Sequence, residues 1–320
     1  MKNKCISFFI NIFVLFTVFF LLFFPKEMIS AAKNGLLIWF NNVIPSLFPF
    51  MITVNIITSK SLKIPLFLSC CFEKLFNTNS HGITAYVFGM LSGYPLGAKI
   101  TSDLYFNKQI SSADVQKLLF FCCNAGPMFI IGTFACEIIN IPFVGYIILV
   151  SSFLSNTICG IISGRILFSQ KERFSISFCC AENKKSSAVE NSCEAIVKVG
   201  GYIILFSVIT EILYLTGITE FFAKCISLFT PLGFIESKAL FSGIFEMTCG
   251  IKELSVSTAP VAVKSALGAF VLSFGGLSVI FQSADFLKGT KISIPLFVFG
   301  KLLNGILTSV FTYVIVYLCF

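Results

Sequence analysis

Apolar runs that approach the roughly 20 residues needed for a helix to cross a lipid bilayer recur along most of this chain. Of its 320 residues, 56% are hydrophobic and only 12% are charged, whereas a globular domain carries about 25% charged residues. Because an unpaired backbone amide is costly in hydrocarbon, such runs favour helices, which satisfy their own backbone. The sequence therefore predicts an all-α integral membrane protein that passes through the bilayer several times.

The formal net charge of +8 comes from basic residues scattered between the apolar runs. They form no basic stripe, so we predict that they set membrane topology and that no nucleic acid is bound. His81 is the only histidine, and no C-x-x-C occurs among the thirteen cysteines. The sequence also lacks the G-x-S-x-G, H-E-x-x-H and Walker A motifs. We therefore expect no metal, no cofactor and no enzymatic activity.

The order of apolar and polar segments predicts four parts. An N-terminal transmembrane helix is expected within residues 1–30, followed by a first repeat over 35–168. A cytoplasmic polar loop is expected over 169–194, and a second repeat over 195–320. The first helix is thus additional to two repeats.

Each predicted repeat contains two interrupted apolar segments. In the first repeat, GITAYVFGMLSGYPLGAK (82–99) reads as a re-entrant hairpin, and residues 118–139 are interrupted by Asn-Ala-Gly-Pro. In the second, the interrupted segments are 239–250 and 260–281. Glycine and proline at these places oppose a continuous helix.

An offset of 150 residues places these interruptions in register. It superposes Ser92-Gly93 on Ser242-Gly243 and Gly126 on Gly276. Duplicated halves with matching broken helices are typical of secondary transporters, whose site lies at the repeat interface near the middle of the membrane.

The distribution of lysine and arginine predicts that the two repeats are inverted. If the hairpins do not cross, each repeat crosses three times and the second enters from the opposite side. With the N-terminus inside, most of the 23 basic residues then lie on the cytoplasmic side, as the positive-inside rule requires.

The interruptions also mark the candidate pathway. Broken backbone at membrane depth is tolerated where it is buried or lines a wet cavity, and a restarting helix offers free N–H groups to a carboxylate. The alternative is that these residues only permit close packing or kinks. The candidates in the first repeat are Ser92, Gly93, Tyr94, Pro95, Gly97, Lys99, Asn124, Gly126 and Pro127, and those in the second are Ser242, Gly243, Glu246, Thr248, Gly275, Gly276 and Lys301.

Two of these candidates are ionisable residues inside apolar segments, which are costly and usually functional. Glu246 can bind a coupling cation, carry a proton or pair with a basic residue. Lys301 can pair with Glu246, meet an anionic solute or extend to the interface. Leu96 occupies the position equivalent to Glu246 in the first repeat, so the predicted site is asymmetric.

The motifs SGYPLGAKITSDL, LLFFCCNAGPMFIIG, LFSGIFEMTCG and LSFGGLSVIFQ occur in this order. With them, the sequence resembles the YlbJ (SpoVV) family of sporulation integral membrane proteins, of the Gate or nucleoside-recognition-domain type. The resemblance extends over nearly everything from Gly35 onward. Cys249 departs from it, standing where a small polar residue is expected.

The resemblance implies a multi-pass transporter of a small anionic metabolite, namely dipicolinate, in the outer forespore membrane of the sporulating mother cell. It also leaves room for homo-oligomers or for sporulation membrane partners. Two alternatives stay open: a carrier of nucleosides or other small solutes, and a membrane scaffold or assembly factor for spore-envelope formation that docks through the polar loop.

Overall fold

A computed structural model describes residues 2–59, 65–168 and 187–320 of the chain. Every regular element in these residues is a helix, which confirms the predicted all-α class. The α-helices are α1 (Lys2–Phe23), α2 (Pro25–Ile38), α3 (Ile44–Ser59), α4 (Leu66–Phe76), α5 (Gly82–Ser92), α6 (Leu96–Phe106), α7 (Ser112–Leu119), α8 (Pro142–Ile161), α9 (Ala188–Leu215), α10 (Ile218–Phe229), α11 (Phe234–Phe245), α12 (Met247–Ser255), α13 (Val261–Phe274), α14 (Gly276–Phe286) and α15 (Ile294–Cys319). Three π-helical segments complete the set: π1 (Trp39–Val43), π2 (Phe129–Ile139) and π3 (Ile162–Leu167).

Five helical segments among the described residues are long and apolar enough to cross a membrane. They are Pro25–Ile56, Pro142–Leu167, Ala188–Leu215, Val261–Phe286 and Ile294–Cys319. Their outer faces carry many exposed large apolar side chains, such as Phe153 and Val310, which suits contact with lipid. The multi-pass character predicted from the apolar runs is therefore confirmed.

The interruption predicted within residues 118–139 is present in the structure. Helix α7 ends at Leu119, an irregular stretch follows, and π2 supplies the rest. The reason is local: Pro127 lacks an N–H and cannot extend a helix from the stretch before it, and Asn124 lies within that stretch. In α7, the Ser111–Asp114 capping box and most of the side chains are buried.

Both predicted hairpins are present, and both are longer than expected. Helices α5 and α6 pack against each other around a break at Gly93–Pro95, and α11 and α12 pack around a break at Glu246. Close backbone contact holds each pair. A Cβ on Gly89 would lie 3.1 Å from Gly97 Cα, and one on Gly250 would lie 2.5 Å from Gly243 Cα.

Each hairpin tip lies against the helix break of its own half. A Cβ on Gly93 would lie 2.5 Å from the amide nitrogen of Gly126, and one on Gly276 would lie 2.9 Å from the carbonyl oxygen of Gly243. Gly93 and Gly276 have φ values of +84° and +76°, a region that favours glycine. The glycines that matched at an offset of 150 residues are thus the ones at which backbones touch.

Two predicted boundaries differ from the structure. The polar loop expected over 169–194 ends earlier, since Ser187 caps α9 by accepting a hydrogen bond from the Glu190 amide, 3.1 Å away; residues 169–186 lie outside the described residues. The N-terminal segment 1–30 contains α1 and the start of α2, separated because Pro25 begins a new helix.

We predict that Gly89→Ala lowers the thermal unfolding temperature of the detergent-solubilised protein. The new methyl group would overlap Cys122 O, and overpacking of this kind costs about 1–3 kcal/mol. Gly201→Ala is the matched control, because nothing lies within 4 Å of a Cβ at that helical glycine. Equal unfolding temperatures for the two variants would contradict the close packing of the first hairpin.

Candidate functional site

Each half supplies a side chain that donates hydrogen bonds to backbone carbonyl groups at a broken helix of the other half. The hydroxyl group of Tyr94, at the tip of the first hairpin, donates to Leu272 O at 2.7 Å and Ser273 O at 2.9 Å, near the end of α13. Lys301 Nζ, on α15, donates to Cys123 O at 2.5 Å in the first-half break. Carbonyls at a helix end have no partner within the helix, so these contacts satisfy the unwound backbone of each half from the other.

Tyr94 and Lys301 also contact each other directly. Lys301 Nζ donates to Tyr94 Oη at 3.1 Å and lies 4.8 Å from the centre of the tyrosine ring. Only 1% of Lys301 is exposed, which excludes the expectation that it extends to the interface. Within the described residues no ion pair joins Lys301 to Glu246.

A central cavity of about 50 Å³ lies between the two hairpin tips. Since about 10–15 Å³ suffices for one water molecule, it has room for several waters. Its walls come from both halves and include helices α3 and α9. The lining residues are Val43, Ser46, Leu47, Tyr94, Ala125, Gly126, Phe129, Val199, Ile203, Glu246, Met247, Thr248, Ser278, Val279 and Gln282.

Glu246 is the only carboxylic side chain among the described residues that line this cavity. It is 1% exposed and has extended backbone at the break between α11 and α12. Its Oε2 accepts the Cys249 amide hydrogen at 2.8 Å and the hydroxyl hydrogen of Thr248. The carboxylate therefore caps the N-terminus of α12, where the helix dipole favours negative charge.

A second cavity of about 300 Å³ lies on the other side of the second hairpin. Ser242, Cys249 and Lys252 of that hairpin line it, opposite Asn34 on α2 and Glu211 on α9. Lining residues Ser207 and Thr219 have buried hydroxyl groups without a hydrogen-bond partner in the described residues. The second hairpin thus separates two cavities.

The structure brings together part of the predicted site. Tyr94, Gly126, Glu246 and Thr248 line the central cavity, and Ser242 lines the second one. Gly275 lies behind Tyr94, where a Cβ would be 3.1 Å from the tyrosine Oη.

Other predicted residues are structural in this arrangement. Ser92 Oγ donates to Phe88 O, Asn124 Nδ2 donates to Phe121 O, and Gly97 packs on Cys122 O. Lys99 Nζ points away from the cavity, 3.4 Å from Asn191 O. Pro95 precedes α6, and Pro127 begins the turn before π2. These positions shape the breaks without lining the cavity.

Sequence reasoning missed three polar residues of the central cavity, namely Ser46, Ser278 and Gln282. Gln282 is 3% exposed, and its Nε2 has no hydrogen-bond partner in the described residues. The signal in the sequence was an uncharged amide at the end of an apolar run, and this signal is weaker than that of an ionisable residue.

Comparison with known proteins gives one informative similarity. The chain is 28% identical over 328 aligned positions to the sporulation integral membrane protein YlbJ of Bacillus subtilis (strain 168), covering 93% of this chain and 80% of that protein. No family model matches, and no solved structure matches. The similarity supports the predicted family.

We predict that Tyr94→Phe and Lys301→Met each destabilise the protein by about 1–3 kcal/mol, because each leaves buried groups without a partner. Their double variant should lose less than the sum, with a coupling free energy of about 0.5–3 kcal/mol. Unfolding in detergent measures all three. Tyr313→Phe, at an exposed position on α15, is the control and should change stability by less than about 0.5 kcal/mol; additive effects of the first two would contradict the contact.

Proposed function

We propose, from the premise that this chain belongs to the YlbJ family of sporulation integral membrane proteins, that it is a membrane transporter of a small anionic metabolite, dipicolinate. The observation that carries the proposal is the central cavity, at which both hairpin tips and both helix breaks meet. Secondary transporters bind solutes at such discontinuous helices near the middle of the membrane. The site of action is the outer forespore membrane.

The position of the second hairpin suggests how solute moves. Glu246 and Thr248 face the central cavity, whereas Ser242 and Cys249 of the same hairpin face the larger one. Displacement of this hairpin would join the two spaces, and its return would separate them. Alternating access through a moving hairpin is the mechanism we propose.

Inverted repeats are part of this proposal. The hairpin–break contacts of the two halves correspond at an offset of 150 residues, and two further contacts are reciprocal. Helix α6 of the first hairpin packs on α14, and α12 of the second packs on π2. Each hairpin thus packs on the helix that follows the break of the other half, as a pseudo-two-fold axis through the cavity would require. The same axis would place α8 against α15, and these two helices do pack together.

Recognition of an anion would depend on helix ends. Among the described residues, no lysine or arginine lines the central cavity, and Lys301 lies behind the ring of Tyr94. The N-terminal ends of α12, α14 and π2 reach the lining at Met247, Ser278 and Phe129. Their N–H groups and dipoles favour negative charge, and dipicolinate carries two carboxylates on a flat ring.

A nucleoside or similar neutral solute is the second candidate. The observation in its favour is the same absence of basic side chains from the cavity lining, together with the hydrogen-bonding groups of Ser46, Ser278 and Gln282. Aromatic and apolar walls, including Phe129, would accept a base ring.

We predict that the purified protein in liposomes takes up dipicolinate with saturation and that Glu246→Gln lowers the initial rate by about tenfold, or about 1.4 kcal/mol in the barrier. Glu220→Gln, at an exposed carboxylate of α10, is the matched control and should transport like wild type. Uridine is assayed in parallel. Uptake of uridine without dipicolinate would favour the second candidate and contradict the first.

A cellular assay separates transport from a scaffold role. A Bacillus subtilis strain lacking YlbJ is complemented with this chain, and the dipicolinate content of its spores is measured. We expect full content when residues 169–186 are replaced by a neutral linker, and reduced content with Glu246→Gln. The reverse pattern would indicate a scaffold that acts through the polar segment.

We also predict that a charged thiol reagent labels Cys249, which is half-buried and lines the second cavity, and that dipicolinate changes the labelling rate severalfold. The other exposed cysteines are first replaced by serine. Cys122 and Cys123 are buried and serve as internal controls that stay unlabelled. A labelling rate that solute leaves unchanged would contradict movement of the second hairpin during transport.

A further inference from the structure

We propose that Glu246 is a tethered competitor for the solute's carboxylate. Its own carboxylate occupies the anion-binding end of α12, and the solute binds there once Glu246 has taken up a proton and left. This inference rests on the proposed function, because it presupposes that the solute is an anion. In this role, the carboxylate that only the second half carries, where the first half has Leu96, couples transport to protons.

The first observation is that Glu246 already makes the contacts a solute carboxylate would make. Its Oε2 accepts from the Cys249 amide at 2.8 Å and from the hydroxyl group of Thr248. These are one backbone and one side-chain donor at the start of a helix, as in other anion sites at helix N-termini. In the first hairpin, no side chain takes the equivalent position, since α6 begins without a side-chain cap.

The second observation is an unpartnered donor in the same cavity. Gln282 is 3% exposed, lines the cavity, and has no hydrogen-bond partner for Nε2 in the described residues. A buried amide without a partner is unfavourable because its desolvation is not compensated, so it calls for a ligand or water. Gln282 and the start of α12 line the same cavity, where a solute with two carboxylates would meet both.

The third observation is that the described part of the lining contains no lysine or arginine to offset a charge on Glu246. A second anion in this small cavity would meet like-charge repulsion at low dielectric. Transfer of one proton from water to the Glu246 carboxylate removes that charge and frees the Cys249 N–H for the solute. Release of solute and of the proton on the other side restores the cap.

Other titratable groups are engaged elsewhere or exposed. From the first hairpin, Tyr94 faces the cavity and binds Lys301. On the helices packed against α12, the charged groups pair away from Glu246 or face outward: Lys238 with Glu253, Glu236 with Ser257, Lys264 with Ser257 O, Asp285 with Lys288, and Glu137 exposed. Cys249 itself faces the second cavity. Glu246 is therefore the group whose charge changes at the site.

The test is equilibrium binding of dipicolinate to the purified protein in detergent between pH 5.5 and 8.5. We expect wild-type affinity to fall by about tenfold per pH unit once Glu246 is mostly ionised, since only the protonated fraction is competent. Glu246→Gln keeps the shape of the side chain but not its charge. It should bind with little pH dependence and at least tenfold more tightly than wild type at pH 8.5, although it transports slowly.

Glu246→Asp is the second variant, and it should retain the pH dependence because it retains a carboxylate. Titration of dipicolinate itself affects binding to all three proteins equally. The ratio of their dissociation constants therefore reports the effect of residue 246 alone. Equal pH dependence in wild type and Glu246→Gln would overturn the competitor role while leaving anion transport intact. Loss of binding in Glu246→Gln at every pH would overturn it as well, because Glu246 would then hold the solute or a coupling cation.

Failure of the proposed function gives a different result. Uridine is measured beside dipicolinate in all three proteins. Binding of uridine, with no dipicolinate binding at any pH in wild type or in either variant, would overturn anion transport and the competitor role together.

Discussion

The fold depends on how the polar groups of broken helices are satisfied inside the membrane. Hydrocarbon offers no hydrogen bonds, so each interrupted helix needs partners within the protein. Tyr94 supplies them to Leu272 and Ser273 in the second half, and Lys301 supplies one to Cys123 in the first. Because the two side chains also bind each other, the first hairpin tip and the helix breaks of both halves are held as one unit, and the cavity lies beside that unit.

Small residues make this arrangement sterically possible. The hairpins and breaks meet backbone to backbone at Gly93 against Gly126 and at Gly243 against Gly276, where any side chain would push the helices apart. Membrane helices lack a hydrophobic driving force for association and rely on such close packing. Glycine therefore has two roles here: it permits the turn, and it brings donors and acceptors of different helices within reach.

Much of the fold was predictable because its signals are local. Long apolar runs indicate spans, and the Asn-Ala-Gly-Pro and Gly-Gly sequences indicate where segments 118–139 and 260–281 are interrupted. Partners of buried ionisable residues were not predictable, since they depend on which distant segments meet. Lys301 finds Tyr94 at a separation of 207 residues, and no periodicity encodes that contact. Gln282 was missed for the same reason, because an amide becomes informative only once its lack of a partner is visible.

The two halves share their breaks but differ in charge. At the second tip Glu246 caps its own helix, while at the first tip the equivalent Leu96 is 1% exposed and cannot cap. A symmetric pair of carboxylates around a cavity this small would repel each other at low dielectric. With one carboxylate on a hairpin between two cavities, the proposed site accepts the anion only together with a proton, which is the minimum that coupling requires.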